Sequence, residues 1–124
     1  MKVETSNGDL IDRVTILHIK SSKITNTDQN KNILNEYTIL LELMKSIGVT
    51  VNSMEYQRLL TVNTRLWDVE DKLRVIEKSK QFDTIFIELA RQVYYMNDER
   101  AAIKKDINLK TGSLLIEEKS YGKY

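Results

Sequence analysis

The chain has 124 residues, with no cysteine, no proline, one histidine and four glycines. The lack of cysteine excludes disulfides, thiolate metal sites and cysteine nucleophiles, and a single histidine excludes sites built from several imidazoles. The 19 basic and 18 acidic residues leave a net charge of +1, which gives no global attraction to nucleic acid or anionic membranes. We therefore expect one cytoplasmic domain over residues 1–124, with no signal peptide and no membrane-spanning segment.

The first two predicted helices form a hairpin over residues 9–47. The first helix is expected to begin at Ser6–Asp9, whose spacing resembles a capping box. Asn26 or Thr27 is expected to cap the second helix, and Gly48 is expected to end it. Apolar side chains recur at helical spacing in both segments, at Leu10, Val14, Leu17, Ile24, Ile33, Tyr37, Leu40, Leu41, Met44 and Ile47.

A second hairpin is predicted over residues 53–110. Asn52, with Glu55 three positions later, is the expected cap of the third helix, and Asp83 is the expected cap of the fourth, which Gly112 ends. Both helices carry apolar residues at alternating steps of three and four, which is typical of an antiparallel packing seam. The third helix has Leu59, Val62, Leu66, Val69, Leu73 and Ile76; the fourth has Phe86, Leu89, Val93, Met96, Ile103 and Ile107, with Arg100 in an apolar position.

The predicted fold class is all-α, an antiparallel bundle of about four helices made of two long-helix hairpins. Short extended segments are expected at both ends. Residues 2–5 and 113–118 are able either to pair as a two-stranded ribbon or to dock on the helices, and the sequence leaves both alternatives open. We expect turns or helix caps near Gly8, Gly48 and Gly112.

Most residues with chemical potential have a structural interpretation as well. His18 lies among apolar residues without a nucleophile at a motif spacing, so we interpret it as structural. Glu70 and Arg74 are four residues apart and fit a surface ion-pair ladder better than a metal cluster, because no E-x-x-E or E-x-x-D pair is present there. Arg100, on the seam, is expected to pair with Asp12, Glu70 or Asp98, because a buried charge needs a partner.

Four blocks of sequence follow one another in a recognisable order: GDLIDRVTILHIK at 8–20, LWDVEDKLR at 66–74, LARQVY and NDERAAIK within 89–104, and IN, GS and EEKSY within 107–121. In this order they resemble domain of unknown function 6165, a family of short, mostly helical bacterial and phage proteins. The chain departs from the family pattern at Asp9 and Arg13, with charge kept at both. The resemblance implies no activity, substrate or cofactor, so no catalytic residue carries over.

Twelve residues beside the helix seams are candidates for an interhelical polar network or groove. They are Asp12, Lys20, Trp67, Glu70, Asp71, Arg74, Arg91, Tyr94, Asn97, Asp98, Arg100 and Lys104. We expect a non-enzymatic protein-interaction or assembly module with a protein partner or self-association, and the 59–76 seam is suited to a homodimer. The alternative is a small-molecule binding protein or enzyme that uses the interhelical Arg/Glu/Asp cluster for an anionic or phosphate-sugar ligand. No cofactor or metal is predicted, and the charge balance argues against base stacking by tyrosines 94, 95, 121 and 124.

Overall fold

A computed structural model describes residues 1–120 and 122. Its four helices are α1 (Asn7–Lys23), α2 (Thr27–Ser46), α3 (Met54–Ser79) and α4 (Thr84–Thr111). The helices α1 and α2 pack together as one hairpin, and α3 and α4 as the other. Because α1 also packs against α3 and α4, it is the central helix of the bundle. The predicted all-α four-helix bundle is therefore confirmed.

Side-chain caps begin three of the helices where the sequence predicts them. Ser6 accepts a hydrogen bond from the Asp9 amide at 3.1 Å, and Asn26 accepts one from the Gln29 amide at 3.0 Å. Asp83 accepts hydrogen bonds from the amides of Ile85 and Phe86 in the first turn of α4, and Gly112 ends that helix in the left-handed conformation, with φ of 65°. These caps satisfy amides that have no partner within the helix.

The predicted cap of α3 is wrong by one residue. Ser53, not Asn52, occupies the N-cap position, and its side chain makes no cap hydrogen bond. Its hydroxyl instead accepts from the Thr50 amide at 2.9 Å within the preceding turn. The turn thus competes with the helix for the same hydroxyl.

Gly8 has a different role from the predicted turn or cap. It lies in the first turn of α1, where its amide donates to Asn108 Oδ1 of α4 at 2.6 Å. A Cβ at this position would stand 2.6 Å from the carbonyl oxygen of Lys104. Glycine is needed here because the backbone of α1 approaches α4 too closely for any side chain.

The apolar core lies where α1 meets the lower halves of α3 and α4, that is, the N-terminal half of α3 and the C-terminal half of α4. The helix α2 contributes Met44 to it. Its fully buried members include Ile11, Val14, Met44, Tyr56, Leu59, Val62 and Ile107. The other end of the α3–α4 pair is different, since none of the residues from 70 to 95 is buried. We call this part, residues 70–95, the hairpin tip. Its partly buried Leu73, Leu89 and Val93 still pack against the core.

The chain ends dock or remain exposed rather than pairing as a ribbon. Residues 113–120, the C-terminal segment, lie along α4, held by ion pairs of Lys104 with Glu117 at 2.9 Å and of Lys105 with Glu118 at 3.1 Å. No strand occurs among residues 1–120 and 122. Within the same residues, no helix has the length and apolar character needed to cross a membrane.

Candidate functional site

A buried carboxylate on α1 joins three helices. Asp12 accepts hydrogen bonds from Nε and Nη2 of Arg100 on α4, the first at 2.8 Å. It also accepts one from Nδ2 of Asn63 on α3 at 2.8 Å, and the same amide donates to Thr15 Oγ1 at 2.9 Å. The Asp12 side chain is 7% exposed and that of Arg100 is 29% exposed. This bidentate pair is the strong, orientation-specific kind of ion pair.

The electrostatics of Arg100 follow from this contact. Its hydrogen bond to Asp12 raises the pKa of the guanidinium, against the opposing effect of burial. The carboxylates of Glu70 and Glu117 add attraction and raise it further. Of the three partners that the sequence left open for Arg100, the structure selects Asp12.

One turn further along α4, Lys104 connects α1 to the C-terminal segment. Its ammonium lies 2.7 Å from Asp9 Oδ1 and 2.9 Å from Glu117 Oε2. Burial would lower the pKa of Lys104, but the hydrogen bonds to Asp9 and Glu117 outweigh it and raise the pKa. The ammonium of Lys119 lies 2.8 Å from Glu117 Oε1. Hydrogen bonds from Lys119 and Lys104 lower the pKa of Glu117 to about 2.

A cavity of about 350 Å³ opens beside these two cations. It is lined by Asn97, Arg100, Ala101, Lys104 and Lys119, three of which are cationic. Arg100 and Lys104 also line a wider open groove, whose other lining residues lie on α1, on and just after α2, and in the first five residues of the chain. The same α4 side chains thus face both a structural network and solvent-accessible space.

The structure gathers only part of the predicted set. Asp12, Arg100, Lys104 and Asn97 lie together around the network and the cavity. Lys20 and Trp67 are half-buried on α1 and α3. Glu70 is exposed, although close enough to influence Arg100. The other members of the predicted set lie exposed on the upper parts of α3 and α4: Asp71, Arg74, Arg91, Tyr94 and Asp98.

Four residues of the network were not among the predicted candidates. Asn63 and Thr15 are neutral, and the sequence marks them only by their helical spacing with buried neighbours. Asp9 stands three residues before Asp12, so the two share a face of α1. Glu117 lies in the non-helical C-terminal segment, which has no periodicity to indicate its neighbours. In the part of the chain that the structure describes, no group of histidine and carboxylate side chains is arranged to hold a metal ion.

The single histidine has a structural contact. The hydroxyl of Tyr56 lies 3.1 Å from Nδ1 of His18, and the two rings meet edge to face at 6.3 Å. Burial, followed by interaction with Tyr37, raises the pKa of the Tyr56 phenol. His18 itself is exposed and Tyr56 is buried, so their contact lies at the edge of the core. Of the tyrosines considered for base stacking, Tyr94 and Tyr95 are exposed on α4, and Tyr121 and Tyr124 lie outside the described residues.

A known protein family matches this chain. The model of a family described as Family of unknown function (DUF6165) matches residues 1–124, which is the whole chain. No curated protein and no solved structure matches the chain.

Proposed function

We propose that this chain, which belongs to the DUF6165 family, is a non-enzymatic assembly module that self-associates through its hairpin tip. The observation that carries the proposal is the absence of any buried residue between positions 70 and 95, although both helices continue their apolar pattern there. A two-helix ribbon buries too little surface by itself, and helical hairpins gain stability when further helices cover their seam. A cytoplasmic setting accords with the lack of cysteine.

The face of α4 that meets α1 can be followed from Lys104 into the hairpin tip. Lys104, Arg100, Asn97, Val93, Ala90 and Phe86 succeed one another at steps of three and four, so they share one face of the helix. In the lower part of α4 this face meets α1 through Arg100 and Lys104. In the tip, Phe86 is half-buried and stacks edge to face on Phe82 at 5.0 Å, and Phe82 is 53% exposed. An apolar surface therefore replaces the polar network where α1 no longer covers the hairpin.

A second copy of this chain is the partner that fits best. The tip has five acidic residues (Glu70, Asp71, Glu77, Asp83, Glu88) and five basic residues (Lys72, Arg74, Lys78, Lys80, Arg91), so its formal charge is zero. A neutral, mixed surface can face its own copy without net repulsion, as a two-fold dimer requires. A specific interface needs roughly 500 Å² per copy, and exposed Phe82 together with half-buried Phe86 is the apolar surface that the tip offers toward it.

Measurement of the solution mass tests the proposal. Phe82→Glu and Ala90→Glu place a charge on the proposed interface at a partly exposed residue, so little folding stability is lost. Val75→Glu and Ile85→Glu are matched controls, because these exposed tip residues lie on other faces of α3 and α4.

By sedimentation equilibrium we expect the wild type and both controls to dimerise in the micromolar range, whereas both interface variants are monomeric. The helical circular dichroism of all variants should remain unchanged. A wild-type monomer at about 100 μM would overturn the proposal, and so would equal loss of dimer in the controls.

A further inference from the structure

The cavity beside α4 has an unusual lining. Among the described residues, its charged lining residues are Arg100, Lys104 and Lys119, its lining includes the amide of Asn97, and no carboxylate lines it. The carboxylates that pair with these cations lie outside its lining. Asp12 and Asp9 approach from α1, and Glu117 lines an adjoining cavity that shares Ala101, Lys104 and Lys119 with this one. The cavity wall therefore presents hydrogen-bond donors.

Several of these donors are not used by the partners that the structure gives them. A guanidinium has five N–H groups, and Asp12 takes two from Arg100. An ammonium has three, and Asp9 and Glu117 take two from Lys104. The side-chain amide of Asn97 adds two more at the cavity edge. Because their ion pairs raise the pKa of both Arg100 and Lys104, these groups are cationic at neutral pH.

We infer that this cavity binds a small oxyanion, a phosphate or carboxylate group, through the remaining N–H groups of Arg100 and Lys104 and the amide of Asn97. The planar guanidinium is already fixed by Asp12, so its outward N–H groups lose little freedom when they meet oxygen atoms. The site is separate from the hairpin tip, and neither proposal depends on the other.

The affinity should come from directed hydrogen bonds rather than from net charge. Asp12, Asp9 and Glu117 offset the charges of the three cations. The attraction of a free anion is therefore modest, and we expect a Kd of about 1 mM for inorganic phosphate. Because the hydrogen bonds are directional, this binding should weaken only moderately when the salt concentration is raised.

Titration of the full chain with inorganic phosphate, and separately with acetate, tests the inference. The signals to follow by NMR are the Nε–H of Arg100 and the side-chain amide of Asn97. Asn97→Asp is the informative variant, since Asn97 is exposed and the change replaces its amide donor with a carboxylate, which repels the added anion. Asn35→Asp makes the same charge change at an exposed residue of α2 and is the matched control.

We expect saturable shifts at Arg100 in wild type and in the Asn35→Asp variant, and at least tenfold weaker binding in the Asn97→Asp variant. Saturation by phosphate alone assigns a phosphate group as the ligand, and saturation by acetate assigns a carboxylate group. Absence of saturation by either anion up to about 20 mM would overturn the inference. Equal weakening in the two variants would also overturn it, because the effect would then be one of overall charge.

Discussion

Removal of the buried carboxylate of Asp12 is the most direct test of the network that joins α1, α3 and α4. Asp12→Ala removes two hydrogen bonds from Arg100 and one from Asn63. Truncating one partner of a buried ion pair costs about 3–5 kcal/mol, because the other charge is left without compensation. Arg100 keeps 29% exposure and can regain water, so we expect the lower limit, about 3 kcal/mol.

A neighbouring ion pair supplies the control. Arg13 follows Asp12 on α1 and lies 2.6 Å from Glu36, but the two side chains are 67% and 40% exposed. Because an exposed pair contributes about 0–1 kcal/mol, Arg13→Ala should change the free energy of unfolding by less than about 1 kcal/mol. Arg13 directs both of its donors to one oxygen of Glu36, whereas Arg100 reaches both oxygens of Asp12, so the difference between the two variants measures the combined effect of burial and bidentate geometry.

Urea unfolding followed by circular dichroism gives these free energies, and a double-mutant cycle isolates the pair. Arg100→Met leaves the Asp12 carboxylate with Asn63 alone, and it should cost about as much as Asp12→Ala. The double variant should cost about 1–2 kcal/mol less than the sum, since neither charge is then left unpaired. A cost below about 1 kcal/mol for Asp12→Ala, or strict additivity, would refute the reasoning.

Three further predictions follow from single contacts. Gly8→Ala should destabilise the fold by about 1–3 kcal/mol in urea, because its Cβ would stand 2.6 Å from the Lys104 carbonyl oxygen, whereas Gly122→Ala meets no atom and should have no effect. Glu117 should stabilise the attachment of the C-terminal segment fully above the ordinary glutamate pKa of 4.5. This stabilisation should be lost as the pH falls to about 2, which NMR of the Glu117 side chain can follow. The raised pKa of Tyr56 makes the folded state less stable as the pH rises above 10.0, so Tyr56→Phe should reduce the alkaline loss of stability in denaturant titrations.

The helices and most of their ends could be predicted from the sequence because their causes are local. The seams of α3 and α4 recur at steps of three and four over many residues, and a cap such as Asp83 acts within three residues of its own position. The cap of α3 could not be predicted, because Ser53 bonds the turn before the helix rather than the helix itself. The role of Gly8 could not be predicted for a similar reason, since the residue that its amide contacts, Asn108, belongs to α4 and lies a hundred residues away.

The candidate site depended more on tertiary structure. Sequence reasoning identified Arg100 as a charge in an apolar position and named Asp12 among three partners, but only the packing of α1 on α4 selects it. The ladder of Glu70 and Arg74 has the same helical spacing as buried positions lower on α3. Both residues are nevertheless exposed, because whether such a face is covered depends on where a different helix ends.

The lengths of the helices explain why the two proposed sites lie in different parts of the molecule. With a rise of 1.5 Å per residue, the 17 residues of α1 span about 26 Å, whereas the 26 and 28 residues of α3 and α4 span about 39–42 Å. At least about 13 Å of the longer hairpin therefore has no α1 beside it. Where α1 is present, the shared face of α4 carries Arg100 and Lys104, which are paired with α1 carboxylates and line the cavity that we propose as an oxyanion site. Where α1 is absent, the same face carries Ala90 and Phe86, which another helix must cover to bury them. A substitution at Ala90 should therefore lower the solution mass by preventing dimerisation, without altering anion binding. A substitution at Asn97 should weaken anion binding without altering the solution mass.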